Sequence, residues 1–346
     1  MMKALQKWFK TQVGFPRVFL SVFLIAMIMV GSFAGVSAPG AISDVINRVG
    51  MNGILVLSMV PMIQGGCGLN FGIPLGLIAG IFGAITSLEF HLSGLVGIFS
   101  AIAIAVVTAV VIGYLYSIII NRVKGDEMII ATYVGFAFIY LMNLFWVSFP
   151  FKNPASVQGY TGEGLRTTIS LDNYWISVFS NFLKIKVGKL VIPTGMLLVF
   201  ALMCLLVWIF LKTKTGTAVT AVGSNPDYAR ASGINIDKMR TIATILSTVI
   251  AAVGMVVYQQ SFGYIQTYTA PLAFTFPTVA AVLLGGASIN KSSITNVILG
   301  TILFQGILTM APKVINVLID IDASDLLRII ITNGMILFAL TRKVDN

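Results

Sequence analysis

The sequence has very few of the side chains on which acid–base and redox catalysis depend. It contains one histidine and two cysteines, and only 10% of its residues are charged. His91 stands alone at the end of a predicted helix, which excludes Ser–His–Asp and Cys–His catalysis. Cys67 and Cys204 lie in apolar surroundings without CxxC or Cys/His spacing, so the sequence predicts neither a disulfide nor a metal site.

The sequence also lacks a phosphate-binding loop. Such a loop needs G-x-x-x-x-G-K-S/T after a strand, because its backbone N–H groups surround the phosphates. The nearest string, GGASINKS at 285–292, lacks the glycine before Lys291 and lies between two apolar runs. We therefore predict that the chain binds no cofactor, does not hydrolyse ATP and is not an enzyme.

Long apolar runs dominate what is present. The chain is 57% hydrophobic, and many runs approach or exceed the roughly 20 apolar residues that cross a bilayer as a helix. This composition predicts an all-α polytopic membrane protein, a single transmembrane domain over residues 1–346 with about ten spans. The predicted spans are residues 17–36, 50–66, 71–88, 93–121, 127–150, 191–211, 241–260, 274–289, 293–311 and 325–341.

The net charge of +10 could indicate a nucleic-acid-binding surface or the usual excess of Lys and Arg on the cytoplasmic side of a membrane protein. The hydrophobic composition favours membrane lipid as the surroundings and no nucleic-acid partner. Ten spans place both termini on one side, and the basic segments 1–16 and 212–240 then predict that side to be the cytoplasm.

The same orientation makes residues 151–190 an extracytoplasmic loop, with a possible surface helix near 172–187. Arg48 lies just before the predicted second span and is therefore assigned to the outside as well. Three lysines in the loop count against this orientation, although the charge rule weakens with loop length. They are Lys184, Lys186 and Lys189.

A polar segment, Lys212 to Arg240, separates two apolar runs and contains a short predicted helix. Asn225 is a good N-cap, and the following proline suits the first helical position. Asp227 can reach Arg230 three residues on, and Gly233 supplies a left-handed stop. About two turns are too few to be stable alone, so a partner surface is implied.

Four stretches resemble the membrane-spanning subunit of ABC importers, in the branch that serves branched-chain amino acids, simple sugars and nucleosides. Residues 221–240 and 279–288 carry most of the likeness, and residues 70–74 and 124–132 carry the rest. The residues that match the two main motifs are Gly223, Asn225, Ala229, Ser232, Gly233, Ile234 and Asn235, then Ala281, Leu284, Gly285, Gly286 and Ser288. One departure is Ile289-Asn290-Lys291, where the family commonly has a glycine-rich loop.

The resemblance implies a permease subunit in a bacterial cytoplasmic membrane. Its implied partners are an ATP-hydrolysing subunit that holds ATP and Mg, an extracytoplasmic solute-binding protein and a second permease subunit. Residues 224–236 would be a coupling helix that docks on the ATP-hydrolysing subunit, with Tyr228 and Ile234 as apolar anchors. The alternative is an amphipathic connector on the membrane surface. The predicted coupling residues are Gly223, Asn225, Asp227, Tyr228, Arg230, Gly233 and Ile234.

Polar or small residues within the spans are the candidates for a translocation pathway, because polar groups are costly in lipid. The candidates are Gly65, Gly66, Gly68, Asn70, Thr132 and Asn143. Glycines in membrane helices also serve close packing, which is the alternative interpretation. The solute is predicted to be a simple sugar or nucleoside, with a branched-chain amino acid as the alternative. An ion-coupled carrier is less favoured, because no paired carboxylates or inverted halves are seen.

Overall fold

The computed structural model describes residues 15–123, 125–159, 162–319 and 324–341, most of which are helical. Four strands of three residues each add a small β component to the predicted all-α fold. In chain order the elements are α1 (Phe15–Phe33), α2 (Ala38–Leu57), α3 (Met59–Gln64), α4 (Ile73–Glu89), α5 (Gly94–Arg122), α6 (Glu127–Ser148), β1 (Thr168–Ser170), α7 (Val178–Asn181), β2 (Ile185–Val187), β3 (Leu190–Ile192), α8 (Thr194–Lys212), α9 (Lys214–Ser224), α10 (Pro226–Ala231), α11 (Ile236–Phe262), β4 (Tyr264–Gln266), α12 (Leu272–Leu284), α13 (Ile294–Ile319) and α14 (Ser324–Thr341).

Among the described residues, six helical segments are long and apolar enough to cross a membrane. They are Ala38–Gln64, Gly94–Arg122, Glu127–Ser148, Thr194–Lys212, Ile236–Phe262 and Ile294–Leu318. Four shorter apolar helices complete the set: Arg17–Phe33, Ile73–Glu89, Leu272–Leu284 and Leu326–Ala339. Each predicted run coincides with one of these ten helices. The number that crosses the membrane and the orientation stay predictions.

The second helix begins much earlier than its predicted start at residue 50. It starts at Ala38, with Pro39 in its first turn, and continues through Ser58 into α3. Polar residues between 43 and 48 interrupt the apolar pattern, so the sequence pattern does not reveal that the helix starts at Ala38. Arg48 therefore lies ten residues inside α2 rather than before a helix, and its assignment to the outside stays a prediction.

Helix α11 lies at the centre of the bundle, in contact with α2, α4 and α5. Helix α4 approaches it closely because glycines face it. A Cβ at Gly76 would lie 2.6 Å from the carbonyl oxygen of Thr248, and one at Gly80 would lie 2.6 Å from that of Ala252. Small residues at such a crossing let two backbones meet, which stabilises helix pairs where water cannot drive association.

The predicted surface helix near 172–187 is wrong for most of its length. Only Val178–Asn181 is helical there, and Ile185–Val187 pairs with Leu190–Ile192 as an antiparallel hairpin. The alternation of basic and apolar residues over 184–187 and the two-residue Gly188-Lys189 turn fit a hairpin better than a helix. Strand β1 pairs with β4 further along the chain, with Ile169 opposite Ile265.

The bundle has two ends that are named here by their connecting segments. The connector end comprises residues 64–68, 121–123, 125–127, 212–240 and 285–293. The hairpin end comprises residues 34–47, 89–93, 149–159, 162–193 and 262–272. Hydrogen bonds join segments within each end: the Gln64 amide donates to the carbonyl of Ser292 at the connector end, and the Val191 N–H donates to Ser43 Oγ at the hairpin end.

Candidate functional site

The polar segment at the connector end forms two short helices instead of the single predicted one. Thr213 caps α9 by accepting a hydrogen bond from the N–H of Gly216, at 3.1 Å. Asn225 ends α9 and caps α10, where its Oδ1 accepts from the N–H of Tyr228 at 3.0 Å. Gly233 has φ +77° and stops the segment, as its position indicates. The predicted local chemistry is present, divided between two helices.

Helix α10 presents most of its side chains to the exterior. Tyr228 is 68% exposed, and the Asp227–Arg230 pair, at 3.8 Å, is similarly open. Ile234 behaves differently, because it packs against the chain's own small cluster that includes Val219 and Ala229. The two residues predicted as joint apolar anchors therefore lie in different surroundings, and only Tyr228 offers a large free apolar surface.

Gly223 brings the end of α9 into backbone contact with the segment that follows α3. A Cβ at Gly223 would overlap the carbonyl oxygen of Gln64, and a Cβ at Gly66 would lie 2.9 Å from the Cα of Gly223. Gly66 also has φ +69°, which an L side chain rarely adopts. Two glycines assigned separately, one to coupling and one to the pathway, thus meet at a single point.

The neighbouring glycines fix the same segment against two further helices. A Cβ at Gly65 would lie 2.6 Å from the Cβ of Ala243 in α11, and one at Gly68 would lie 3.1 Å from Met128 in α6. Residues 65–68 are therefore in contact with α6, α9 and α11. Their contacts are those of close packing at the connector end.

A buried ion pair lies beside this segment, and sequence reasoning missed it. Arg240 Nη2 lies 2.5 Å from Glu127 Oε1, and the side chains are 8% and 16% exposed. Arg240 Nε also donates to Cys67 Sγ at 3.3 Å. Burial is the main cause that raises the pKa of the Cys67 thiol, against the opposing effect of Arg240. Glu127 stands at the predicted start of the fifth span, and nothing local in the sequence marks a partner 113 residues away.

Asn70 takes part in a buried chain of hydrogen bonds. Its Nδ2 donates to Ser247 Oγ at 2.8 Å, and its Oδ1 accepts from the Tyr116 hydroxyl at 3.2 Å. Ser247 donates in turn to the carbonyl of Ser58 at 2.6 Å. This chain ties α5 and α11 to the point where α2 passes into α3.

Thr132 and Asn143 lie on α6, which has few buried residues. The Thr132 hydroxyl donates to the carbonyl of Met128 at 2.9 Å, within the same helix. Asn143 Oδ1 is shielded from solvent but has no hydrogen-bond partner in the described part of the chain. The buried residues of α6 are Ala131, Gly135, Ile139 and Trp146. The rest of α6 forms an open face of the chain that includes Tyr133 and Tyr140.

A polar cavity of about 600 Å³ opens at the hairpin end, between α2, α11, α13 and α14. Asp44 and Lys313, which form an ion pair, both line it. Arg48, Arg328 and Tyr258 line it as well. None of these residues was predicted as a pathway residue. The available signal was the presence of Arg48 and Arg328 among long apolar runs.

Comparisons with known proteins agree on one family. A family model described as "Branched-chain amino acid transport system / permease component" matches residues 41–340. The chain is 26% identical over 203 residues to the nucleoside ABC transporter permease protein NupB of Lactococcus lactis subsp. cremoris, which covers 57% of the chain and 52% of that protein.

Two further relatives are permeases of import or transport systems. The autoinducer 2 import system permease protein LsrC of Photorhabdus laumondii is 30% identical over 164 residues, with 46% of this chain and 48% of the relative covered. The xylose transport system permease protein XylH of Haemophilus influenzae is 24% identical over 332 residues, with 83% and 87% covered. The chain spans about half the length of the first two relatives and most of the third.

Proposed function

We propose that the chain, which belongs to the permease-component family of branched-chain amino acid transport systems, forms the translocation pathway of an ATP-driven importer. Its solute in this proposal is a simple sugar or nucleoside. As a multi-pass membrane subunit, it is a transport component rather than an enzyme. Hydrolysis of Mg-bound ATP occurs on a separate partner chain in this proposal.

The contact between Gly223 and Gly66 carries the proposal. It joins the last turn of α9, which leads through Asn225 into the exposed helix α10, to the segment between α3 and α4 without an intervening side chain. A force on α10 would therefore reach residues 65–68 directly, because backbone atoms in contact cannot yield by a change of rotamer. Those residues contact α6 and α11, so the movement would reach the membrane helices on either side.

Tyr228, Asp227 and Arg230 supply the docking surface for the ATP-hydrolysing subunit in this proposal. An aromatic side chain that is 68% exposed, with charged neighbours, suits the centre and rim of an interface. Gly223, Asn225, Gly233 and Ile234 serve that surface indirectly, since they shape and hold the two short helices.

Ten spans with both termini in the cytoplasm place this surface on the side where ATP is available. The connector end carries basic residues in short loops, as the charge rule requires of the cytoplasmic side. They include Arg122, Lys124, Lys212, Lys214 and Lys291. The hairpin end then faces the extracytoplasmic solute-binding protein, in the bacterial cytoplasmic membrane.

The open face of α6 is proposed as the contact with a second permease subunit. Thr132 and Asn143 lie on this helix, and the pathway would run between the two subunits beside them. Asn143 Oδ1, without a partner in the described chain, would gain one in that interface or from solute. Asn70, Gly65, Gly66 and Gly68 would hold the connector end of the pathway in place.

The solute assignment is supported by two relatives, whose names specify a nucleoside and xylose. The family description names branched-chain amino acids, which remain the alternative. An uptake assay with labelled uridine, xylose and leucine would separate these classes. Leucine uptake alone would overturn the sugar or nucleoside assignment.

The coupling proposal is tested in the complete transporter reconstituted in liposomes. Tyr228→Ala and Arg230→Ala should reduce ATP-dependent uptake while the amount and thermal stability of the chain stay unchanged, because both side chains are exposed. Lys189→Ala, an exposed change at the opposite end, is the control for amount and thermal stability. Uptake that is unaltered in both connector-end variants would contradict docking through α10.

A further inference from the structure

Among the described residues that line the polar cavity at the hairpin end, positive charge exceeds negative charge. Three of these residues are cationic, Arg48, Lys313 and Arg328, and one is acidic, Asp44, which gives the described lining a formal charge of +2. The single acid is already engaged by Lys313. The two arginines therefore lack a carboxylate partner within ion-pair distance among the residues that the structure describes.

The position of Arg48 makes this lack of a partner informative. Ten residues separate it from the start of α2, which corresponds to about 15 Å along the helix axis. Arg48 is half-buried, and an ionised side chain withdrawn from solvent is costly unless it faces water, a counter-charge or a ligand. Arg48 and Arg328 line the same cavity and repel each other, while Asp44 attracts Arg48.

An anion bound between the arginines would offset both the cost of withdrawing Arg48 from solvent and the repulsion between Arg48 and Arg328. The guanidinium group offers paired N–H donors that match the oxygens of a carboxylate or phosphate. A neutral sugar would satisfy hydrogen bonds but would leave the repulsion between the two guanidinium groups in place. The charge of the cavity therefore favours a solute with an anionic oxygen group.

The remaining lining groups suit the rest of a ring-shaped polar solute. Tyr258 and Phe262 are stacked, with ring centroids 5.5 Å apart and planes at 26°, and both line the cavity. Asn47, Ser261 and Thr309 add amide and hydroxyl groups that can bind sugar hydroxyls. A few polar groups beside an aromatic surface are typical of small-molecule sites.

We infer that this cavity, between α2, α11, α13 and α14 and separate from the pathway beside α6, is a solute-binding site of the permease. Its solute is a sugar or nucleoside bearing a phosphate or carboxylate group that lies between Arg48 and Arg328. The inference rests on the proposed function, since it names the chemical class of the transported solute. The adjoining cavity of about 210 Å³, which shares Asp44, Asn47 and Ser261, would be the entry from the hairpin end.

Three aspartates close to Arg328 in sequence are the rival partners for these arginines. Asp320, Asp322 and Asp325 have side chains outside the described part of the structure. If they neutralised the cavity, an anionic solute would have no advantage over a neutral one. The experiment therefore compares solutes that differ only in the anionic group.

The test measures binding to the purified full chain in nanodiscs of neutral lipid, by titration calorimetry. Ribose is compared with ribose 5-phosphate, and glucose with glucuronate, so that the two pairs separate a phosphate from a carboxylate preference. We expect the anionic member of at least one pair to bind at least about tenfold more tightly, as one or more charge-assisted hydrogen bonds would give. Equal binding within both pairs, or no binding of either anion, would overturn the inference.

Variants locate the preference at the two arginines. Arg48→Gln and Arg328→Gln should each remove most of it, whereas Arg328→Lys should retain part of it because the charge remains. Lys189→Gln removes one positive charge from an exposed turn at the same end and should leave the preference unchanged. A preference that survives in both glutamine variants would contradict the site. A lowered melting temperature would show that a variant fails to fold. If Arg48→Gln fails to fold, the result for Arg328→Gln decides, because Arg328 is exposed and its replacement should not affect folding.

Uptake in the reconstituted transporter distinguishes this inference from the proposed function. ATP-dependent uptake of ribose with no preference for ribose 5-phosphate would overturn the anionic class and leave the importer intact. Arginine-dependent binding of the anion without ATP-dependent uptake would overturn the importer function and leave the anion site intact.

Discussion

The two ends of the bundle contain similar kinds of residue but use them differently. At the connector end, the described charged groups are either paired and buried, as Arg240 and Glu127 are, or exposed, as those on α10 are, and glycines close the remaining space. At the hairpin end, charged groups surround a cavity of about 600 Å³. One end is built from backbone contacts that transmit movement, and the other leaves room for a solute. Close packing is thus concentrated at one end of the bundle, and open space at the other.

The largest expected effect comes from removing one partner of the buried ion pair. Arg240→Met should lower the free energy of unfolding by about 3–5 kcal/mol, because Glu127 would remain as an uncompensated buried charge. Thermal unfolding in detergent measures this loss. The double variant Arg240→Met with Glu127→Leu should recover much of it, since apolar replacements of a buried pair are often tolerated.

Arg230→Met is the matched control, because Arg230 is exposed and belongs to the same end. Its melting temperature should equal that of the natural chain. A loss as large as that of Arg240→Met would mean that the connector end does not separate buried from exposed charge as described.

A somewhat smaller effect is expected from filling the backbone contact. Gly223→Ala should destabilise the chain by about 1–3 kcal/mol, the usual cost of overpacking, because the new methyl group overlaps the Gln64 carbonyl. Gly334→Ala in α14 is the control, since no atom lies within 4 Å of its added Cβ. That variant should be neutral or slightly stabilised, and a matching loss at both positions would refute the close contact.

The cap of α10 should contribute less. Asn225→Ala removes the acceptor for the Tyr228 N–H and should cost about 1 kcal/mol of local stability. Hydrogen exchange of the α10 amides detects this change without requiring global unfolding. Asn225→Asp keeps an acceptor and should exchange as slowly as the natural chain. Identical exchange in Asn225→Ala would show that another group holds the helix start.

The smallest expected effect concerns the exposed pair on α10. Asp227→Asn should leave the melting temperature unchanged at low and at high salt, because open ion pairs contribute little to stability. A measurable loss at low salt would show that the exposed charges of the connector end also hold the fold together.

Much of the fold was predictable because its signal is local. Apolar runs of sufficient length gave all ten apolar helices, and cap chemistry at Asn225 and Gly233 gave the start and stop of α10. The start of α2 was not found, since polar residues that line a cavity interrupt an apolar pattern just as a loop does. The hairpin over 185–192 was overlooked because its period of two was read as an amphipathic surface.

The site was less predictable, because its contacts join distant parts of the chain. Gly66 and Gly223 were both singled out, but nothing in either neighbourhood indicates that they touch. The partnership of Arg240 with Glu127 depends on the start of α6 lying beside the first turns of α11. The cavity depends on four helices together, and only the occurrence of arginine within apolar helices pointed towards it.

The pairing of β1 with β4 has a consequence outside the membrane. Strand β4 follows α11 after one residue, and the Leu171 N–H donates to the carbonyl of Gly263 at 3.0 Å, so the outer segment is attached to the central helix through main-chain bonds. A shift of α11 along its axis would therefore displace the surface around residues 165–171. A soluble protein bound to that surface would therefore be displaced whenever α11 moves. Because the attachment is made by main-chain bonds, substitutions of the surface side chains could change which protein binds there without breaking the connection to α11.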